Sequence, residues 1–223
     1  MDEIIDLIIF DCDGVLIDSE IISANMLIHE LEKIGINIDR SYVARHFLGR
    51  SYPTVFSTIR SDFGVELPAS FEDQYRDQLL KAFDEGLEVI TGVEQILREV
   101  KKPWCVATSS SLPRAEKSLE LTGLRGLVGD RLFTASMVER GKPAPDLFFH
   151  AAKQMNATPE RCLVIEDSLN GIRAARAAGM KVWRFTGGSH MKGQHIDEAD
   201  DIKSDLQFDD FSVFSTLIEQ NLL

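Results

Sequence analysis

The chain is poor in cysteine, in positive charge and in long apolar runs, and each shortage removes a class of protein. Three cysteines among 223 residues, namely Cys12, Cys105 and Cys162, are odd in number, and two sit inside apolar stretches. That argues against a disulfide framework, and their spacing lacks the paired pattern of a zinc site. They read as reduced core thiols; Cys12 lies between two aspartates, but strand alternation should point it away from both. No stretch approaches the roughly 20 apolar residues of a membrane span, and the opening MDEIID carries acid where a secretory leader has a basic start. The expectation is a cytoplasmic protein with no membrane partner. Lys and Arg number 24 against 36 Asp and Glu, a formal net charge of −12, the reverse of what the nucleic-acid backbone requires. No nucleic-acid partner is expected, whereas a small anion bridged by a metal ion is compatible with this charge. Oligomeric state is undetermined. No repeat or low-complexity segment is visible, and the acidic HIDEADDIKSD at 195–205 reads as a solvated loop.

What is present is a rhythm of strands and helices. Short apolar stretches rich in β-branched residues recur at Leu7 to Phe10, Trp104 to Ala107, Arg131 to Phe133, Cys162 to Ile165 and Lys181 to Phe185. Helical patterns separate the later ones: TGVEQILREVKK puts Val93, Ile96, Leu97 and Val100 on one face, and DSLNGIRAARAAGM runs into Gly179 as a stop signal. The fold class predicted is α/β, a parallel-sheet core of the Rossmann-like kind. One connection breaks the rhythm, because about 90 residues separate the first strand from the second, far more than a crossover helix needs. SEIISANMLIHELEKIG, 19–35, opens with Ser19 as a possible N-cap and carries Leu27, Ile28, Leu31 and Ile34 at helical spacing. Further helical patterns follow near 40–48, 52–64 and 69–85. The expected division is an α/β core, 1–15 and 89–223, with an all-α cap inserted at 16–88.

In an open parallel sheet ligands gather at the carboxyl ends of the strands. Strand one ends in Asp11 and Asp13, strand two in Thr108 to Ser111, and strand four in Glu166 to Ser168; strand three is followed by GKPAPD with Lys142. Singly, each has an ordinary reading: a surface turn, a helix cap, a surface lysine. Jointly they deliver carboxylates, hydroxyls and an ammonium to one rim. Carboxylates so crowded would repel one another unless a divalent cation sat among them, and an all-oxygen site suits Mg²⁺ sharing a phosphate. The Thr108 hydroxyl, backbone N–H groups at the next helix start and Lys142 would supply donors to that phosphate.

Four motifs, DCDGV at 11–15, VATSS at 106–110, GKPAPD at 141–146 and VIEDS at 164–168, resemble those of the haloacid dehalogenase-like hydrolases. The resemblance is to the β-phosphoglucomutase-like and sugar-phosphate phosphatase members with an early helical cap. It implies Asp11 as nucleophile, Asp13 as acid and base, and Thr108, Ser109 and Lys142 as the grip on the phosphoryl group. It further implies Mg²⁺ held by Asp11, Asp13 and Asp167, with Glu166 a direct or water-mediated helper. An aspartate at position 13 separates phosphoryl-transfer members from true dehalogenases, which lack it.

Known β-phosphoglucomutases carry a histidine twelve residues past the nucleophile, where this chain has Ser23, and a cap arginine that falls at Tyr52 with Arg50 close by. A mutase is therefore the alternative, and a phosphatase of small phosphorylated metabolites, such as 6-phosphogluconate, the reading that fits best. A phosphate-accepting signalling module is a further alternative, although receiver domains place their aspartate after the third strand and have no large lid. Substrate selection is expected from the cap, with Glu20, Arg45, His46, Arg50 and Tyr52 as candidates. The phosphonate-cleaving relatives use a cap lysine; Lys33 and Lys81 are the main ones here, and no such activity is expected.

Overall fold

The computed structural model describes residues 5–192 and 202–222. Among these a six-stranded sheet has the order β3-β2-β1-β4-β5-β6, with β1 Leu7–Phe10, β2 Trp104–Thr108, β3 Leu132–Thr134, β4 Cys162–Glu166, β5 Lys181–Phe185 and β6 Leu206–Phe208. Every pairing is parallel. The short β6 is an addition to the strands expected from the sequence. The acidic stretch at 195–205 lies for the most part outside the described residues.

Strand order reverses about β1: β2 and β3 are laid down on one side of it, and β4 to β6 on the other. The pairings Phe10 with Val106 and Phe10 with Ile165 level the ends of the three central strands. Whatever follows β1, β2 and β4 therefore meets at one edge, the crevice where doubly wound sheets bind ligands. Strand alternation divides the core into two layers. Ile8 and Phe10 pack with α5 (Val93–Glu99), α6 (Leu112–Leu121) and α10 (Phe214–Leu222), whereas Leu7 and Ile9 pack with α8 (Asp146–Gln154) and α9 (Leu169–Ala177). The short α7 (Arg125–Val128) precedes β3. Cys12 is buried in the apolar cluster of the first layer.

After β1 and before α5 come four helices, α1 Glu20–Glu32, α2 Arg40–His46, α3 Tyr52–Phe63 and α4 Phe71–Gly86. They close on a hydrophobic cluster of their own, including Leu31, Val55, Ile59, Tyr75 and Phe83, so this inserted all-α cap has its own source of burial energy. Its two connections run side by side: Asp18 N–H donates to Glu88 O (2.9 Å) and Ile90 N–H to Leu16 O (2.9 Å). Ser19 precedes α1, but its side chain makes no cap hydrogen bond. Its hydroxyl bonds instead to Asp13 Oδ1 at 2.7 Å.

Candidate active site

Asp11 leaves β1 with its amide donating to Ile165 O at 2.9 Å, which pins the residue between β1 and β4. Lys142, 2% exposed, reaches in from the loop before α8. Its Nζ donates to Asp11 Oδ1 (2.6 Å), Glu166 Oε1 (2.6 Å) and Ala107 O (3.0 Å), three acceptors for three protons. The second oxygen of Glu166 accepts from the Ser168 amide (2.9 Å) and hydroxyl (3.0 Å). Ser168, rather than Glu166 or Asp167, is the side-chain N-cap of α9, accepting from Gly171 N–H. Asp167 differs: among the described residues its Oδ2 has no hydrogen-bond partner, and His190 Nε2, 2.8 Å away, is not in bonding geometry. Gly14, at φ +81°, makes this approach possible, since a Cβ there would lie 2.2 Å from that oxygen.

Burial pushes the Asp11 carboxyl well above the usual range; Lys142 opposes this, and Glu166, Asp167 and Asp13 reinforce it. The Asp167 carboxyl is pushed up likewise, by burial and then by Glu166. Burial works against the Lys142 ammonium too, yet Asp11 and Glu166 outweigh it and hold the proton more tightly than on an ordinary lysine. One ammonium is thus too little for three buried carboxylates. Asp11, Glu166 and Asp167 each offer an oxygen within 4.8 Å of the others. A hard divalent cation fits this donor set, and the Asp167 oxygen that accepts no hydrogen bond is open to it.

Asp13 stands across from this cluster. Its Oδ2 accepts from Thr108 (3.1 Å) and Ser110 (2.7 Å), and its Oδ1 from Ser19 (2.7 Å) and Arg114 Nη2 (2.8 Å). Burial alone would raise its affinity for a proton. Arg114 and the three hydroxyls together outweigh that and hold it below the usual carboxylate range. Two neighbouring aspartates on one loop are therefore driven in opposite directions, an arrangement suited to separate nucleophilic and proton-handling roles.

A sequence profile of the haloacid dehalogenase-like hydrolases matches residues 5–179. The chain belongs to that family. The 6-phosphogluconate phosphatase of Escherichia coli (strain K12) is 32% identical over 189 residues, covering 84% of this chain and 86% of the other. A conserved haloacid dehalogenase-like protein of unknown function from Agrobacterium tumefaciens superposes with a TM-score of 0.81 at 34% identity, covering 97% and 98% of the two chains. A β-phosphoglucomutase from Clostridium difficile reaches the same TM-score, 0.81, at 22% identity and 98% and 97% coverage, a likeness of fold alone. Family membership and the aspartate cluster make the protein a haloacid dehalogenase-like phosphatase. No helix among its described residues is long and apolar enough to cross a membrane.

In this hydrolase the cap is seated on the site. Ser109 Oγ donates to Gly49 O (2.9 Å), and Asn170 Nδ2 to Leu48 O (2.8 Å), so core side chains hold the backbone of the loop after α2. The cavity left beneath is about 50 Å³, lined by Asp11, Asp13 and Thr108 from the core and by Glu20, Arg50 and Tyr52 from the cap, among others. An open groove of about 550 Å³ adjoins it and shares Tyr52 and Ser109. Of the cap candidates, Glu20, Arg50 and Tyr52 thus face the cavity. Arg45 and His46 do not: Arg45 is exposed and bonds back to Ser41 O, and His46 stacks on Tyr42. Lys33 pairs with Glu30 and Lys81 is exposed, both away from the cavity lining.

Sequence reasoning missed Arg114, Ser110 and the role of Ser19. Arg114 carried a signal, because it is a cation in the first turn of α6, where the helix macrodipole favours anions. A residue set against that field has a compensating partner, here Asp13.

Burial pushes the Glu20 carboxyl up to about 8, with Asp13 and Asp167 adding to the shift. A carboxyl raised in the folded state withholds stability increasingly as pH climbs from its unfolded value toward its folded one. Glu20→Gln is accordingly expected to raise the Tm of the metal-free protein, with a margin over wild type that is small near pH 5 and grows toward pH 8. Melting curves in EDTA across that interval check this; a margin independent of pH contradicts it.

Proposed function

We propose that the protein is a Mg²⁺-dependent phosphatase of small phosphorylated metabolites, sugar phosphates foremost, acting through an aspartyl-phosphate on Asp11. One observation carries the reading: buried Lys142 joins Asp11 to Glu166 while an Asp167 oxygen beside them accepts no hydrogen bond among the described residues. That set has negative charge to spare and is balanced when a cation and a phosphate's worth of donors come together there. Mg²⁺ held by Asp11, Asp167 and the Asp13 carbonyl would neutralise charge on the phosphoryl oxygens. Both Glu166 oxygens already accept from Lys142 and Ser168, which favours a water-mediated part for that residue.

In the first step an Asp11 oxygen attacks phosphorus, the ester P–O bond breaks, and Asp13 delivers a proton to the departing oxygen. In the second, Asp13 takes a proton from the water that attacks the same phosphorus. The Asp11 P–O bond then breaks, releasing inorganic phosphate and restoring the carboxylate. Thr108, the Ser109 amide and Lys142 hold the transferring group, where positioning and charge neutralisation do most of the catalytic work. Asp13 is held below the usual carboxylate range in the resting arrangement, so the proton it delivers is taken up from solvent as a phosphate dianion arriving beside it raises its hold on one.

We take 1–15 and 89–223 as the catalytic core and 16–88 as a moving lid, supported by the separate cap cluster and the paired connections. The cavity over Asp11 and Asp13 is about 50 Å³, and an open groove of about 550 Å³ adjoins it at Tyr52 and Ser109, so a substrate larger than phosphate would extend into that groove or require the lid to open. The likeness to 6-phosphogluconate phosphatase makes phosphorylated sugar acids the first class to test. The mutase alternative draws on Arg50 facing the cavity, whereas Ser23, in the place of the mutases' histidine, accepts from Arg114 instead.

Phosphate release from p-nitrophenyl phosphate and a panel of sugar phosphates is expected with Mg²⁺, and is expected to stop with EDTA and return when Mg²⁺ is restored. No turnover on any phosphate ester in Mg²⁺ would sink the reading. Conversion of glucose 1-phosphate into glucose 6-phosphate, dependent on a bisphosphate primer, would assign the mutase instead.

A further inference from the structure

We infer that Arg114 binds a second anionic group on the substrate, carried by the portion that leaves, and thereby selects phosphorylated acids over neutral phosphorylated sugars. This deepens the phosphatase reading and rests on it. The position comes first. Asp13 acts on the oxygen between phosphorus and the leaving group, and Arg114 lies one hydrogen bond beyond Asp13, at 2.8 Å, on the side toward the cap. There its Nη2 also donates to Ser23 Oγ (3.1 Å) and its Nη1 to the Tyr52 hydroxyl. The leaving group has to occupy this junction of core and cap.

The donor count comes second. Asp13 accepts from the hydroxyls of Ser19, Ser110 and Thr108 and takes only one of the five guanidinium N–H donors, that of Arg114 Nη2. Arg114 Nε is shielded from water and has no partner among the described residues, and the same holds for Arg50 Nε. Both arginines line the cavity. Two guanidinium groups with unmet donors around one space are complementary to an oxyanion, which a carboxylate or phosphate supplies in planar, multidentate geometry. The surroundings favour the same sign. Arg114 lies in the first turn of α6, so the positive end of the helix dipole adds to its own charge. The guanidinium is held between Tyr52 and Phe83, 5.0 and 5.4 Å from their ring centroids, so it is pre-oriented.

The test uses the full chain with Mg²⁺ and three esters: 6-phosphogluconate, glucose 6-phosphate, which has no carboxylate, and fructose 1,6-bisphosphate, whose second anion is a phosphate. Wild type is expected to favour one or both of the anion-bearing substrates over glucose 6-phosphate by about 10- to 100-fold in kcat/KM. Which of the two is favoured identifies the anion as carboxylate or phosphate. In Arg114→Met that preference should fall to within about threefold of unity, chiefly through KM, and Arg114→Lys should retain an intermediate preference because it keeps charge without the fork. A role confined to Asp13 or to cap packing lowers all three substrates by a common factor and leaves the ratios as they were; that result overturns the inference. A wild type that hydrolyses all three equally overturns it too, whereas a wild type that hydrolyses no ester at all, p-nitrophenyl phosphate included, overturns the phosphatase reading beneath it.

Discussion

Replacing Asp11 with Asn is expected to lower kcat for phosphate release by about four orders of magnitude or more, in line with other nucleophile deletions, with little loss of fold. An amide of the same shape keeps the backbone bond to Ile165 and can still accept from Lys142. It cannot attack phosphorus as an anion, and Glu166, tied to Lys142 and Ser168, has no free oxygen to replace it. Single-turnover labelling with a radioactive ester sharpens the measurement: wild type should carry acid-stable, base-labile phosphate on the peptide containing residue 11, and the variant none. Residual turnover within about tenfold of wild type would remove Asp11 from the centre of the proposal.

The second large effect is on stability. Lys142→Ala should destabilise the metal-free protein by about 3–5 kcal/mol, the usual result of deleting one partner of a buried ion pair. The ammonium is the common partner of Asp11 and Glu166, and without it these two and Asp167 face one another unbalanced. The sign with pH is specific. Lys142 holds its proton more tightly folded than unfolded, so its contribution is fully present through the neutral range and is lost only as strongly alkaline pH strips the folded ammonium. Mg²⁺ should recover part of the deficit, since binding to the folded state adds stability by mass action and returns positive charge to the cluster. Denaturant unfolding at pH 7, with EDTA and with Mg²⁺, measures both quantities; a loss under about 1 kcal/mol would mean that the ammonium does not balance these carboxylates.

Much of the framework is legible in the chain itself. β1, β4 and β5 announce themselves as buried apolar runs, and the long gap between the first two strands announces a cap. Local chemistry also locates Asp11, Asp13, Thr108, Lys142, Glu166 and Asp167, because each follows a strand or a turn whose end is marked in the chain. β6 escapes because three residues, only one of them buried, are too few for a period to show. Ser19 misleads for a different reason: a serine ahead of a helix is a good N-cap, but here a buried carboxylate offers its hydroxyl a stronger partner.

The cap residues mark the limit most clearly. Arg45 and His46 are as polar and as close in sequence to the loop after α2 as Arg50, yet Arg50 lines the cavity and they do not. Helical periodicity identifies the face that packs inward, and in the cap that face is buried against the cap's own cluster. Which of the remaining polar residues look toward the core depends on how the finished cap sits on its two connections.

By itself, then, the sequence determined the strand-end chemistry, since a strand's register carries its last residue to a predictable edge of the sheet. Only tertiary structure decided that Arg114 would meet Asp13, Ser23 and Tyr52 under the lid. Those four come from four separate segments, and long side chains find such partners by competition among distant charges, which no local pattern encodes.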